Sequence, residues 1–218
     1  MRYEKGRKEA THQRIIEVAS QEFRKHGVAA SGLAGIMEKA DLTIGAFYPN
    51  FASKAELVTE TLAYVLDLQL AKMRETIESG GSLEAGILSY LSKDHLSSPE
   101  DGCPSAALLP EIGRQTKETR SAYKDGIVPF IAMLAEHLPE EDSRASSGRA
   151  FALFGLLVGT LQIARAIPDK TLAESVLKEG IEAAMHLAGG HARLSRVAAK
   201  TEKTAPKLPN RSARADKR

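Results

Sequence analysis

Apolar residues recur at helical rather than strand spacing along most of the chain. Ile15, Ala19 and Phe23 lie four residues apart, which places them on one face of a helix. Gly27 follows this stripe, and glycine often ends a helix because it tolerates a left-handed backbone. No segment alternates cleanly with the period of two expected of a strand. The pattern therefore predicts an all-α protein whose first helix covers about residues 11–26.

Two shorter helices are predicted next. Apolar residues from Leu33 to Ala40 form a second stripe, and the Ser31 hydroxyl is placed to cap the start of that helix. A third segment begins like a helix at Thr43, a possible cap, but meets Pro49 after barely two turns. Proline ends a helix because it lacks the N–H group that the next turn needs. Three helices within 50 residues, the last two joined by a short turn, have the layout of a helix-turn-helix.

A long helix and five further helices are predicted after this unit. Ser53 and Glu56 have the spacing of a capping box, in which each side chain accepts a backbone N–H at the helix start. The helix that follows should run for about 27 residues to Ser79. The further helices, separated mostly by Pro or by Gly/Ser breakers, are predicted at Leu83–His95, Ala106–Arg114, Thr116–His137, Ser143–Ala166 and Leu172–Leu187.

Composition bounds the class of protein. A chain of 218 residues with 43% apolar content can bury one large core or two modest ones. The N-terminus lacks the apolar region of a signal peptide, and the most apolar run, residues 150–164, is shorter than the roughly 18 residues that a membrane span needs. The single cysteine, Cys103, excludes an internal disulfide and fits a reducing compartment. We expect a cytoplasmic protein with no membrane partner.

The net charge of +2 hides an uneven distribution. Residues 191–218 hold nine Lys or Arg and two acids, residues 1–52 hold eight and six, and residues 53–190 hold 13 and 20. Such asymmetry can mark a segment that meets a polyanion. The last segment is poor in large apolar residues and is predicted to be a disordered tail. The tail is either a solvated extension or an added electrostatic contact.

The residues from His12 to Leu57 resemble the DNA-binding domain of the tetracycline-repressor (TetR) family of bacterial transcriptional regulators. The densest match lies in LTIGAFYPNFASKAEL, residues 42–57. The later GCPSAALLPEI, residues 102–112, resembles a segment of one branch of that family. The resemblance implies a DNA-binding domain over 8–68, with its helix-turn-helix at about 31–50. It also implies a helical effector-binding and dimerisation domain over 69–190 and a basic tail over 191–218.

Members of this family are homodimers that bind near-palindromic operators and release them when a small molecule enters the C-terminal domain. The resemblance therefore implies a ligand-responsive repressor whose partners are double-stranded DNA, an unknown small-molecule effector and a second copy of the chain.

The short helix suits a DNA groove on physical grounds. The major groove of B-DNA is about 12 Å wide and admits a helix. Small residues should face the duplex, Ile44 could touch a thymine methyl group, and Phe47 should pack inward as an anchor. Asp41 replaces the usual turn glycine of the family, which accommodates a positive φ more cheaply. The predicted DNA-binding residues are Ser31, Thr43, Ile44, Gly45, Ala46, Tyr48, Asn50 and Lys54.

Candidates for the second domain are weaker, since each is also an ordinary core or surface residue. The candidates for an effector pocket are Tyr64, Leu68, Tyr90, His95, Cys103, Leu108, Gln115, Tyr123 and Phe130. Cys103 is a candidate thiol sensor, although a lone cysteine before proline is commonly a small buried hydrophobe. Residues 143–166 are apolar on nearly all sides, and two glycines there would let another helix approach closely. The predicted dimer interface comprises Phe151, Phe154, Gly155, Val158 and Gly159.

Two other functional classes stay open. An enzyme would need a catalytic site, but we find no nucleophile elbow, no phosphate-binding loop and no metal-ligand spacing among the six histidines. We therefore predict no catalytic residue, metal or cofactor. The other alternative is an all-helical dimer that binds a ligand or a protein without sequence-specific DNA binding, which Pro49 and the weak basic charge both allow.

Overall fold

The computed structural model describes residues 2–138 and 143–189, and within these ranges it is all-α, as predicted. Two 3-10 helices, Ile44–Ala46 and Pro99–Asp101, add to the α-helices. The α-helices are α1 (Arg2–His26), α2 (Leu33–Lys39), α3 (Lys54–Glu78), α4 (Leu83–Tyr90), α5 (Lys93–Ser97), α6 (Pro104–Ile112), α7 (Lys117–Glu136), α8 (Ser143–Ala166) and α9 (Lys170–Leu187). The predicted tail, 191–218, and the predicted breaker Pro139 lie outside the described residues.

The first helix ends where the sequence predicts but starts earlier. It stops at His26, and Gly27 adopts φ +84°, the left-handed conformation that glycine accommodates most cheaply. Its start is Arg2 rather than residue 11. The additional turns consist mostly of Glu, Lys, Arg and Ala, which favour helix without apolar periodicity. These turns carry no apolar stripe, so the periodicity did not predict them.

The capping signals explain one confirmed and one wrong boundary. The Ser53 hydroxyl accepts the N–H of Glu56 at 3.1 Å, and the Glu56 carboxylate accepts the N–H of Ala52, so the capping box that starts α3 is confirmed. The predicted single helix over 83–95 is wrong. The Ser92 hydroxyl accepts the N–H of His95 at 3.1 Å and starts a separate helix, α5.

One continuous apolar core joins the two halves of the chain. Helix α1 packs against α2 and α3, α3 packs against α7, and α8 packs against α7 and α9. Residues 146–166 of α8 are long and apolar enough to cross a membrane by length and composition, and 44% of that stretch is buried inside the protein. A core helix of a soluble protein passes the same test. Helix α8 therefore gives no support for a membrane span.

Candidate nucleic-acid interface

The segment that interrupts the helical run after α2 forms a 3-10 helix rather than two turns of α-helix. Its hydrogen bonds run from the N–H of Ala46 to the carbonyl of Thr43 and from Phe47 to Ile44. Thr43 has an extended backbone and its side chain makes no capping bond, so the predicted cap is wrong. Gly45 and Pro49 account for the shortness, because glycine weakens a helix and proline ends it. We call Ile44–Ala46 the short helix.

The short helix stands on an aromatic base. Phe47 and Phe51 are 0% and 1% exposed, with ring centroids 5.5 Å apart, and His12 of α1 stacks on Phe51 at 4.4 Å. The predicted inward packing of Phe47 is confirmed. Burial of these rings anchors the short helix to the rest of the protein and leaves the polar groups of the short helix unused.

The opposite side of the short helix faces outward. Ile44 is 46% exposed and Tyr48 is 67% exposed, and Thr43 and Gly45 are also exposed. Exposed apolar and aromatic side chains that lie close together can mark an interaction surface. Four of the eight predicted DNA-binding residues thus share one open surface, and Ala46 lies partly buried at its edge.

Ser31 does not lie on that surface. It is 5% exposed, and its hydroxyl lies 2.7 Å from the carbonyl oxygen of Gly27 and 3.1 Å from that of Glu22, both near the end of α1. Gly32, not Ser31, is the residue that precedes α2, and it makes no side-chain cap. The predicted cap is wrong because the serine hydroxyl points back to carbonyl oxygens at the end of α1 and in the turn after it.

Asn50 and Lys54 are also occupied within the protein. The Asn50 amide donates to the carbonyl of Ala46 at 2.8 Å, and its buried Oδ1 has no hydrogen-bond partner among the described residues. The Lys54 ammonium donates to the carbonyl of Val28 at 2.6 Å. Lys54 therefore ties the start of α3 to the loop after α1, although its side chain is only partly buried.

A clamp on the turn before the short helix was not predicted. Asp41 has a positive φ of 56°. The Arg14 guanidinium of α1 donates to the carbonyl of Ala40 and pairs with the Asp41 carboxylate. No local sequence signal links residues 26 and 27 positions apart, so only the packing of α1 on the turn shows this contact.

Part of the predicted effector set forms one polar cluster in the body, around Tyr90, His95, Cys103 and Tyr123. The Cys103 N–H donates to His95 Nε2 at 2.9 Å, and the Tyr90 and His95 ring centroids lie 4.7 Å apart. The Tyr123 hydroxyl lies 3.0 Å from that of Ser105. Burial raises the pKa of the Tyr90 and Tyr123 hydroxyls, so both phenols stay neutral.

The rest of that set lies elsewhere, so the nine residues do not share one pocket as predicted. Leu108 and Gln115 border a narrow cavity between α1, α3 and α6. Phe130 packs on Phe154, and Leu68 is 50% exposed. Tyr64 is half-buried against the core. The periodicity showed which residues are apolar or polar, but not which helix faces meet.

Contacts between the end of α1 and the segment 100–111 link the N-terminal part of the chain, which carries the short helix, to the helices that follow α3 (the body). The Arg24 guanidinium donates to the Gly102 carbonyl at 2.8 Å, Lys25 pairs with Glu100 at 2.9 Å, and the N–H of Ala29 donates to the Glu111 carboxylate at 3.0 Å. We call these three the linking contacts. Gly102, which accepts from Arg24, immediately precedes Cys103 of the polar cluster.

Helix α8 divides the predicted dimer residues between two faces. Phe154 and Val158 are 6% and 4% exposed and belong to the core of the chain, so they cannot also contact a second copy. Phe151 is 53% exposed, and a Cβ added at Gly155 or Gly159 would meet nothing within 4 Å. The outward stripe repeats every four residues and continues to Ile163, which is 56% exposed.

Sequence comparisons match the part of the chain that contains the short helix. Residues 15–61 match the family model of the bacterial regulatory proteins, tetR family. The chain is 45% identical over 62 residues to the HTH-type transcriptional regulator TtgR of Pseudomonas putida, which covers 28% of this chain and 30% of TtgR. It is 34% identical over 65 residues to the HTH-type transcriptional repressor KstR2 of Mycobacterium tuberculosis, and that match covers 30% of this chain and 32% of KstR2. The chain thus matches about a third of the length of these relatives.

Solved structures share the fold over most of the chain. A TetR-family transcriptional regulator from Cytophaga hutchinsonii aligns with a TM-score of 0.67 and 21% identity, over 84% of this chain and 96% of that one. The reduced form of NemR from E. coli aligns with a TM-score of 0.65 and 21% identity, over 81% and 96%. FadR of Bacillus subtilis, in complex with stearoyl-CoA, aligns with a TM-score of 0.56 and 16% identity, over 78% and 97%. At these identities the likeness concerns the fold alone.

Proposed function

We propose that the protein is a cytoplasmic transcriptional repressor that releases DNA when a small molecule binds its body. The proposal starts from residues 15–61, which match the family model of the bacterial regulatory proteins, tetR family. The observation that carries this proposal is the short helix, which exposes Ile44 and is followed at once by the fully buried anchor Phe47. The curated relatives are transcriptional regulators, which favours this function over an enzyme.

The proposed DNA interface is the open side of the short helix. Thr43 and Gly45 are small enough to allow close approach to base edges, and Ile44 offers an apolar contact to a thymine methyl group. The exposed Tyr48 hydroxyl can donate to a phosphate oxygen, which would position the helix without reading sequence. Ser31 is omitted because it is buried, and Asn50 and Lys54 would contribute only after giving up the contacts described above.

The proposed dimer interface is the outward stripe of α8. Phe151, Gly155, Gly159 and Ile163 lie at intervals of four residues, so they form one apolar row with two bare positions where a second helix can approach closely. Leu172 at the start of α9, 53% exposed, is a further large apolar side chain for a partner to cover. A two-fold axis through this stripe would match the symmetry of a near-palindromic operator.

The proposed effector site is the polar cluster in the body. FadR, which shares this fold, was solved with stearoyl-CoA, which supports a role for the helical body in binding small molecules. A ligand that favours a different packing around Cys103 would strain the linking contacts and shift the unit that carries the short helix. The loss of DNA affinity would equal the difference in the ligand's affinity for the two arrangements.

The function is tested by DNA binding of the purified full chain. Fluorescence anisotropy with labelled duplex from upstream of its own gene should show binding that a tenfold excess of random duplex does not displace. Ile44→Ala should weaken that preference about fivefold or more, whereas the control Val128→Ala, at a site 48% exposed on α7, should leave it unchanged. Equal binding to all duplexes would favour the alternative of a helical dimer without sequence-specific DNA binding.

A further inference from the structure

His95 makes two hydrogen bonds that together fix its protonation state. A backbone N–H can only donate, so the bond from the Cys103 N–H requires an unprotonated Nε2. The proton of the neutral ring therefore sits on Nδ1, which donates to the carbonyl of Tyr90 at 2.7 Å. A protonated ring would carry hydrogen on both nitrogens, and the bond to Cys103 would be lost.

His95 joins the loop 98–103 to α4 and α8. Through Cys103 its imidazole fixes the end of that loop, and the preceding residue, Gly102, is the acceptor for Arg24 of α1. The Arg165 guanidinium of α8 donates to the backbone carbonyls of His95 and Leu96. The residue His95 is therefore connected to both the α1 contact and the α8 contact.

The loop packs closely against the ring at Gly102. A Cβ built on Gly102 would lie 2.5 Å from His95 Nε2 and 2.6 Å from its Cδ2. Since Gly102 has a negative φ, −89°, this crowding, and not backbone strain, is what excludes a larger residue. The chain can approach the imidazole this closely only because residue 102 has no side chain.

The surroundings disfavour a charged imidazole. The pKa of His95 lies below its ordinary value of 6.5, chiefly because the ring is buried. The hydrogen bond to the Tyr90 carbonyl acts in the opposite direction, and the positive charges of Arg165 on α8 and Lys72 on α3 add to the lowering. From α4 the ring meets the neutral phenol of Tyr90. The acids of the adjacent loop, Glu100 and Asp101, exert their attraction on Arg24.

We propose that neutral His95 is a positioning residue for the loop 98–103. Its bond to the Cys103 N–H keeps the Cys103 thiol covered and the Gly102 carbonyl in contact with Arg24. Protonation of His95 at acid pH releases the loop and exposes the thiol. Protonation would break the bond to Cys103 and place a third positive charge beside Arg165 and Lys72. The consequence for DNA affinity rests on the proposed function, because it requires that the linking contacts hold the short helix in its DNA-binding position.

The chain supplies its own reporter, since Cys103 is the only cysteine and is 6% exposed, with its thiol directed to the Gln69 side-chain oxygen at 3.7 Å. Its rate of reaction with 4,4′-dithiodipyridine, divided by the rate for N-acetylcysteine at the same pH, measures how far the loop protects it. We expect this protection to fall about tenfold between pH 7.5 and pH 5.5, the scale of one lost buried hydrogen bond. An unprotected thiol would keep a constant ratio, so equal protection at both pH values would overturn the proposal.

Three variants sharpen the test. His95→Gln cannot titrate, and its protection should not change with pH. His137→Gln is the matched control, because His137 also bonds a backbone carbonyl, that of Met133, but is exposed at the end of α7; it should keep the wild-type fall. Gly102→Ala should displace the imidazole and lower protection at both pH values. The proposal would be contradicted if protection of the Cys103 thiol in His95→Gln fell with pH as much as in the wild type, or if Gly102→Ala kept the wild-type protection.

A fourth measurement needs no variant. The ¹⁵N resonances of the imidazole at pH 7.5 should report a neutral ring protonated on Nδ1, and the Nε2-protonated form would overturn the proposal even if His95→Gln fails to fold. None of these measurements involves DNA. A closed, acid-sensitive loop in a protein that ignores every duplex would refute the proposed function and leave this inference standing.

Discussion

The two regions that carry the proposed function are held in place by different forces. The short helix rests on the rings of Phe47 and Phe51, where apolar area is buried and few directional bonds are involved. The cluster in the body depends instead on hydrogen bonds through single atoms, such as the Nε2 of His95. Apolar burial is non-directional and insensitive to pH near neutrality, whereas a buried polar network is costly as soon as one partner is lost or changes charge.

The two kinds of support therefore suit different functions. A DNA-reading surface needs to keep one shape under all conditions, which an aromatic base provides. A surface that responds to a signal needs a small change in chemistry to break several contacts, which a hydrogen-bonded cluster provides. The linking contacts join the two regions, so the comparison can be tested by weakening each kind of support in turn.

The largest effect is expected at the aromatic base. Phe47→Ala should lower the free energy of unfolding by about 3–5 kcal/mol, because it leaves a cavity under the short helix, whereas Phe47→Leu should cost less than about 1.5 kcal/mol. Urea unfolding at a fixed protein concentration measures both. Similar costs for the two variants would show that ring stacking, not buried volume, supports the short helix.

A smaller effect is expected at the linking contacts. Arg24→Met removes a guanidinium that is largely buried and leaves the Gly102 carbonyl without its donor, which should cost about 1–3 kcal/mol. The adjacent Lys25 pairs with Glu100 in solvent, and Lys25→Gln should have no measurable effect, since exposed ion pairs contribute little. If Arg24→Met and Lys25→Gln changed the free energy of unfolding by the same amount, burial would not be what distinguishes the two contacts.

The next effect is a pH dependence confined to the body. Because burial lowers the pKa of His95 in the folded chain below its unfolded value of 6.5, the unfolded state binds the proton more readily. The stabilisation from neutral His95 is complete above about pH 6.5 and diminishes as the pH falls below it. Thermal unfolding from pH 7.5 to 5.5 should destabilise the wild type more than His95→Gln, and an equal loss in both would assign the acid sensitivity to other groups.

The smallest effect is expected at the turn before the short helix. Asp41→Gly should raise the free energy of unfolding by up to about 1 kcal/mol, since glycine accepts a positive φ without the steric cost of a Cβ. Asp41→Ala should lower it by about 0.5 kcal/mol, because alanine keeps that cost and loses the local polar contacts. A loss of stability in Asp41→Gly would mean that the exposed pair with Arg14 outweighs the backbone term.

The sequence predicted the N-terminal unit more closely than the body, and particular residues show why. Ile15, Ala19, Phe23 and Phe47 lie within 33 residues of each other and pack largely among themselves, so local periodicity specifies most of their environment. The resemblance to a known family also rests on this segment, and the comparisons over residues 15–61 confirm it. The errors there, at Ser31, Thr43 and the start of α1, concern single caps and boundaries.

In the body the same reasoning predicted the helices but not their contacts. Residues 143–166 were predicted to be helical, and α8 has those bounds, yet Phe154 and Val158 were assigned to the wrong face. A helix that is apolar on nearly all sides gives no sequence signal for the side that faces the core. The effector candidates were scattered for the same reason, since Leu68 and Tyr90 are equally plausible pocket residues until the neighbouring helices are in place.

The sequence by itself thus determined the all-α class, the capping of α3 and the presence of a short, proline-terminated segment with an apolar anchor. These features depend on side chains within about one helical turn of each other. Tertiary structure alone decided which side of α8 is open, that Arg14 clamps Asp41, and that His95 meets Cys103 between α1 and α8. Such contacts join residues far apart in the chain, and they depend on the shapes of several packed helices at once, which no local pattern encodes.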